Sequence, residues 1–248
     1  MKFSVITVCR NAASTIDRAL ASIAEQDYSQ IESLVVDGLS NDGTAERARR
    51  AVRPGGRVVS EADSGLYNAM NKGVALATGD VVAFLNADDW YPRETIISEV
   101  AAQFAETGVE AVFGDVAFFR PGDMTRPVRR YRSGRFQPWL LRFGLMPAHP
   151  ATFVRREIFE RVGPFAEDYA IAADFDMAVR MFGVARTRFT HYPHVLVNMA
   201  LGGVSTSGVR AAMTINAETV RACRSNGIYT NTAMVSAKYP LKLVELLA

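Results

Sequence analysis

The stretch Val81-Val82-Ala83-Phe84-Leu85-Asn86-Ala87-Asp88-Asp89-Trp90 is an unbroken apolar run that stops at two adjacent carboxylates. A run of that length suits a central strand covered on both faces, as in a parallel sheet. The acids then fall where the strand leaves the sheet at its carboxyl end, the edge at which open α/β sheets bind ligands. Neighbouring carboxylates there repel each other unless a cation lies between them and an anionic ligand. Mg²⁺ or Mn²⁺ bridging to a diphosphate meets that need, because hard cations take oxygen ligands. The plainer reading is that Asp88 and Asp89 cap a helix starting near Pro92.

The chain before this strand repeats one pattern. Residues 3–8 read as a strand, and Ile16, Ala19, Leu20 and Ile23 recur at helical spacing behind Ser14, a candidate cap. Residues 31–36 form a second strand, ending in the turn-rich Asp37-Gly38-Leu39-Ser40-Asn41-Asp42-Gly43-Thr44, and a basic helix follows. A short strand at 57–60 leads through Asp63 into a helix carrying Leu66, Met70, Val74 and Ala77, with Asn68, Asn71 and Lys72 on its other side. This alternation predicts right-handed crossovers and a mainly parallel central sheet flanked by helices. Asp37, Asp63 and the Asp88–Asp89 pair then face one edge, where carboxylates accept hydrogen bonds from a base or ribose, or hold a metal. No Gly-x-x-x-x-Gly-Lys loop occurs and no Gly-x-Gly-x-x-Gly follows the first strand, so phosphate handling falls to a metal and basic side chains.

Beyond a further helix and a strand at 111–119 the alternation stops. Residues 124–156 contain no acid and eight arginines, with Tyr131, Phe136, Trp139 and Phe143 among them. The part from 126 to 143 fits an anionic membrane surface and the diphosphate of a lipid-linked acceptor. It also fits a solvated basic face; nucleic acid is not expected, since no nucleic-acid motif accompanies it. A loop then leads into a helix with an acidic start near Asp174, and a helix is expected at 209–224. Leu241, Leu243, Val244, Leu246 and Leu247 form a final amphipathic stretch.

Bulk properties agree with an ordinary soluble globular protein. Apolar residues make up 49% and charged residues 22%, and a net charge of +2 gives no independent argument for nucleic acid. Cys9 and Cys223 lie in no metal or redox spacing, which suggests a reducing compartment. There is no long apolar leader, and no apolar stretch reaches the ~20 residues that span a bilayer. The expectation is a cytoplasmic protein, peripheral to the inner membrane face where the arginine-rich stretch touches it.

Several motifs resemble family 2 glycosyltransferases of the GT-A fold, especially bacterial enzymes of exopolysaccharide, colanic-acid and O-antigen assembly. They are Ser4-Val5-Ile6-Thr7-Val8, the Asp37 to Thr44 loop, Asp63-Ser64-Gly65-Leu66-Tyr67-Asn68-Ala69-Met70-Asn71-Lys72-Gly73, and Phe84-Leu85-Asn86-Ala87-Asp88-Asp89. The likeness continues through His149-Pro150-Ala151-Thr152-Phe153-Val154-Arg155-Arg156, Gly163 and Phe165, Ala172-Ala173-Asp174-Phe175-Asp176 and Gly202-Gly203-Val204-Ser205. It implies one GT-A domain over 1–248: a nucleotide-sugar half at 1–110, an acceptor half at 111–207 and C-terminal helices at 208–248. It also implies inverting transfer from a nucleotide sugar, UDP by first expectation, to a saccharide or lipid-linked hydroxyl, with Mg²⁺ or Mn²⁺. Thr7, Asp37, Asp63, Lys72 and Asp88 would contact the donor, and Asp89 or Asp88 the metal. Asp174 matches the family's catalytic base. Relatives often carry Asp where this chain has Asn86, which leaves open which acid ligates the metal.

His149 lies in a matched motif and is a candidate contact to acceptor or phosphate, as is Asp176, which has a structural alternative. Trp90 borders either the sugar pocket or the core, and His191 or His194 is either a further metal ligand or structural. Two competing functions are a nucleotidyltransferase, which should show a glycine- and lysine-rich loop where Cys9-Arg10-Asn11-Ala12-Ala13 stands, and a degenerate nucleotide-sugar-binding scaffold.

Overall fold

A computed structural model describes residues 1–202 and 209–239. The motif residues Gly203 to Ser205 and the amphipathic stretch from Leu241 to Leu247 lie outside the described residues. Four strands, β1 (Phe3–Cys9), β2 (Ile31–Asp37), β3 (Arg57–Ser60) and β4 (Val81–Phe84), alternate with helices α1 (Ile16–Ala24), α2 (Thr44–Ala51) and α3 (Leu66–Leu76). They pair in the order β3-β2-β1-β4, all parallel. Cys9 lies opposite Asp37, and Asp37 opposite Ser60, so successive strands end along one edge.

The second half departs from the parallel pattern. After α4 (Ile96–Thr107) come the long β5 (Ala111–Phe119), the short β6 (Arg129–Tyr131), β7 (Thr152–Arg155), α5 (Arg156–Val162) and α6 (Ala173–Ala178). A π-helical turn (Val179–Val184), β8 (Phe189–Ala200), α7 (Val209–Ser225) and α8 (Thr232–Ser236) complete the order. β7 is antiparallel to both β4 and β5, joining the halves into one mixed eight-stranded sheet. β5 also pairs antiparallel with β6 and parallel with β8. β8 bulges between His191 and Val195, which is where Pro193 is accommodated.

Strand alternation divides the core between two sheet faces. Phe3, Val5, Val81, Ala83 and Phe153 pack with Ile16, Leu20 and Ile23 of α1 and Ile96, Val100 and Phe104 of α4. Ile6, Val8, Val82 and Phe84 pack on the other face with Tyr67 and Met70 of α3, Ile158 of α5 and Phe175 of α6. The fold is therefore three layers, helix on sheet on helix. Two sequence expectations change. Thr15, not Ser14, precedes α1, and α4 begins at Ile96 behind Thr95. Asp88 and Asp89 are too far from α4 to cap it, so the plainer reading of these acids falls away.

Candidate active site

The edge is built from strand ends inward. Asp37, the last residue of β2, is fully buried, and its carboxylate accepts hydrogen bonds from Ser60 Oγ (2.6 Å), the Ser40 amide (3.2 Å) and Ser40 Oγ. With both oxygens engaged, it shapes the loop from Gly38 onward. Gly38 is required there, since a Cβ would collide with the Asp63 carboxylate. Asp63 in turn accepts the Gly65 amide at 3.1 Å, fixing the turn into α3. Lys72 pairs with Glu61 (2.8 Å) and donates to the Ala62 carbonyl (2.6 Å), so its ammonium is tethered beside the Asp63 loop. Thr7, two residues before the end of β1, has a buried hydroxyl with no hydrogen-bond partner among the described residues.

Asp88 and Asp89 follow β4 in a tight turn, with the Asp89 amide donating to the Asn86 carbonyl at 3.0 Å. Asp89 is fully buried; among the described residues one carboxylate oxygen accepts from Asn86 Nδ2 at 3.1 Å, and the other has no close hydrogen-bond partner. Burial, then the adjacent Asp88, push its carboxyl well above the usual range; Asn86, Arg18 and the Ala200 backbone oppose this. Trp90 exchanges backbone hydrogen bonds with Asn198 of β8 (3.0 and 2.9 Å), which locks the turn to the far half of the sheet. Its indole packs on Phe119, and the Arg18 guanidinium lies 3.9 Å above the ring. Arg18 also donates to the Asp88 carbonyl at 2.9 Å. The sequence reading missed Arg18; its only signal was a cation on the polar side of α1.

An orphaned buried carboxylate oxygen beside a second carboxylate is the donor set a hard divalent cation takes. The residues therefore fit such an ion. Among the described residues no set of three or more His, Cys, Asp or Glu side chains is gathered to hold a metal. An ion at this pair would complete its shell with ligand oxygens, as Mg²⁺ does with phosphates.

Asp174 sits in the first turn of α6, half-buried, and accepts the Phe175 amide at 2.7 Å. Burial lifts its carboxyl to about 6, and the Glu218 charge adds to the rise. The loop before it is tied to the start of α3, the helix that follows Asp63: Tyr67 donates to the Ile171 carbonyl, and Glu167 accepts from Ser64 (3.0 Å), Asn68 (3.1 Å) and Asn71 (3.0 Å). Asp176 has a different setting. Arg180 (2.8 Å), Asn226 (3.0 Å) and Tyr169 (3.5 Å) take up its oxygens, so it ties α6 to the π turn and to the end of α7 rather than meeting an acceptor.

His149 stacks on Phe84 (5.3 Å) and meets Phe165 edge-on (6.0 Å). Burial pushes its pKa down to about 4, so the ring is neutral at physiological pH and cannot meet a phosphate as a cation. Its Nε2 is buried without a hydrogen-bond partner among the described residues. His191 bonds Asp115 at 3.0 Å inside a cluster with Arg130 and the Ser133 amide, which makes it structural. His194 is exposed and packs beside Tyr192.

Residues 4–163 match the Glycosyl transferase family 2 profile, and the chain belongs to that family. Over 211 residues it is 35% identical to the PGL/p-HBAD biosynthesis glycosyltransferase of Mycobacterium tuberculosis, covering 83% of this chain and 79% of the relative. Glycosyltransferase AglE of Haloferax volcanii is 32% identical over 171 residues, covering 65% of this chain and 55% of AglE. Among solved structures, S. aureus TarS 1-349 superposes with a TM-score of 0.67 at 18% identity, covering 92% of this chain and 67% of TarS. Glucosyl-3-phosphoglycerate synthase from Mycobacterium tuberculosis, in complex with Mg²⁺ and uridine-diphosphate, gives 0.63 at 20%, covering 93% and 81%. The fold is the GT-A fold that the sequence led one to expect, and the protein is a glycosyltransferase rather than a nucleotidyltransferase or an inert scaffold.

Proposed function

We propose that this protein transfers a glycosyl unit, with inversion, from a nucleotide sugar to a hydroxyl of a saccharide or lipid-linked acceptor. The observation that carries the reading is the buried oxygen of Asp89, without a close partner among the described residues, beside Asp88 at the carboxyl end of β4. The donor's base and ribose lie against Thr7, the Asp37 loop, Asp63, Lys72 and Asp88, and Arg18 adds a fixed positive charge. A divalent cation, Mg²⁺ or Mn²⁺, held by Asp89 and Asp88 would neutralise charge on the nucleoside diphosphate as it departs. Asp174 takes the acceptor proton while that oxygen attacks the anomeric carbon. The bond from carbon to the diphosphate breaks, and its electron pair leaves with the diphosphate. A carboxyl lifted to about 6 is a stronger base than an ordinary carboxylate and remains ionised at neutral pH.

On this reading residues 1–110 hold the donor and later residues the acceptor. UDP is the expected nucleotide of the donor, given the uridine-diphosphate bound by the superposed synthase. The expected setting is assembly of bacterial surface polysaccharide at the inner membrane face. Among the described residues no helix is long and apolar enough to cross a membrane. Trp139, 58% exposed, stands with exposed Arg132, Arg135 and Arg142, which suits contact with anionic lipid.

The test is a thermal-shift screen of nucleoside diphosphates and nucleotide sugars, with and without Mn²⁺. A ligand that binds only the native state raises the melting temperature. A cation-dependent rise with one base, abolished by Asp89→Asn, is the expected result. No rise with any nucleotide at saturating concentration would sink the donor assignment.

A further inference from the structure

Asp174 is not delivered by a strand end. It follows the loop 165–172, which is held from two sides. On one side stands Glu167, gripped by Ser64, Asn68 and Asn71 at the start of α3. On the other side α7 sends in Glu218. Its carboxylate accepts three consecutive backbone amides, from Ala170 (2.6 Å), Ile171 (2.9 Å) and Ala172 (2.9 Å). Such charge-assisted bonds are about twice as strong as neutral ones, and three on one carboxylate fix the loop in position and orientation. Arg221, one turn further along α7, pairs with Asp168 and lies 4.2 Å over the Tyr169 ring. Glu218 lies outside the stretch matched by the family profile and in none of the motifs quoted above.

We propose that Glu218 is a positioning residue for Asp174, holding from α7 the three amides that set where the Asp174 carboxylate meets the acceptor hydroxyl. The proposal rests on the reading of Asp174 as the base. It also explains why a helix at the far end of the sequence is packed against the loop at all: the second half of the chain supplies the clamp that the strand edge does not. Among the described residues, the charged and titratable groups facing the loop are Tyr67 and Lys72 from α3, His149 against Phe165, Asp176 and Arg180 from α6 and its π turn, and Glu218 and Arg221 from α7. Glu167, Asp168 and Tyr169 belong to the loop itself. The Glu218 charge adds to the rise that burial gives Asp174.

The experiment measures kcat, donor affinity and the pH profile for Glu218→Gln, Glu218→Asp and Asp174→Asn. A glutamine has one acceptor oxygen and no charge, so Glu218→Gln should lower kcat on the order of 10²-fold through misplacement of the base, with donor affinity unchanged. The acid limb, expected near pH 6 in the native enzyme, should move to lower pH because a charge that raises Asp174 has gone. Glu218→Asp, which retains the charge, should keep the limb in place and recover part of the rate. A native kcat in Glu218→Gln, an unmoved limb, or a loss of donor affinity matching the loss of turnover would each overturn the proposal. Asp174→Asn separates the two readings. If it abolishes turnover while Glu218→Gln does not, only the clamp fails; if it retains turnover, the base assignment fails first.

Discussion

Asp89 and Asp115 are both withdrawn from water, at 0% and 3% exposure, and are surrounded in opposite ways. Asp115, in β5, accepts from Arg130 (2.9 Å) and the Ser133 amide (3.0 Å) and bonds His191 (3.0 Å). Asp89 has one amide donor, a like charge next door and an oxygen with no close partner among the described residues. Burial alone therefore does not mark a working acid. A buried carboxylate with a full set of donors holds two elements together, whereas one left short is a site awaiting positive charge. Asp174 lies between these extremes, half-buried, with a lifted carboxyl and a clamped backbone.

The comparison breaks most decisively at Asp174. Asp174→Asn should cut kcat by about 10²–10⁴-fold, the usual worth of a general base, with donor binding intact. In the native enzyme the rate should fall as pH drops through about 6, because the carboxylate must be free of its proton. A flat profile across that range would remove Asp174 from the chemistry.

The two buried acids should then respond with opposite signs. Asp115→Asn removes a charge that its partners are arranged to meet, and should cost about 1–3 kcal/mol; each kcal/mol lowers the melting temperature by roughly 2–4 °C at this size. Asp89→Asn should raise the melting temperature of cation-free protein at neutral pH. The sign follows from linkage. A carboxyl with a raised folded pKa binds its proton more tightly in the native state, so stability falls as pH rises from about 4, the unfolded value, toward the folded pKa. The variant removes that loss and with it the Mn²⁺-dependent response to nucleotide. Destabilisation by Asp89→Asn would mean that unseen partners satisfy the acid.

The smallest effect on the fold is expected at Trp139. Trp139→Ala should change stability by no more than about 0.5 kcal/mol, as for an exposed residue, yet weaken sedimentation with vesicles rich in anionic lipid. Unchanged sedimentation would return the arginine-rich stretch to an ordinary solvated face.

The first half of the molecule was legible because each of its units announces itself locally: an apolar run, a turn-rich break, a helical stripe. The polar side of α3, read from Asn68, Asn71 and Lys72, is the side that grips Glu167 and Glu61. β8 was not legible, since Tyr192-Pro193-His194 interrupts it and only pairing with β5 makes room for a bulge. The short β7 was visible as a motif but not as the antiparallel strand that joins the halves. Arg18 and Glu218 were missed for a related reason. Each is an ordinary charged residue on a helix, and its role exists only through partners distant in sequence.

The bridge between Trp90 and Asn198 has a consequence for the order in which this protein can be made. Asp88 and Asp89 leave the ribosome early, with most of the parallel sheet. The strand that pins the turn behind them, and the Ala200 backbone that helps Asp89, emerge only after a further hundred or so residues, β5 to β8 among them, have been synthesised. A nascent chain that stops at residue 163 carries every acid of the donor edge and none of these supports. Contacts so far apart in sequence close late and set the pace of folding. The acids of the donor edge are thus translated well before the strand that completes it.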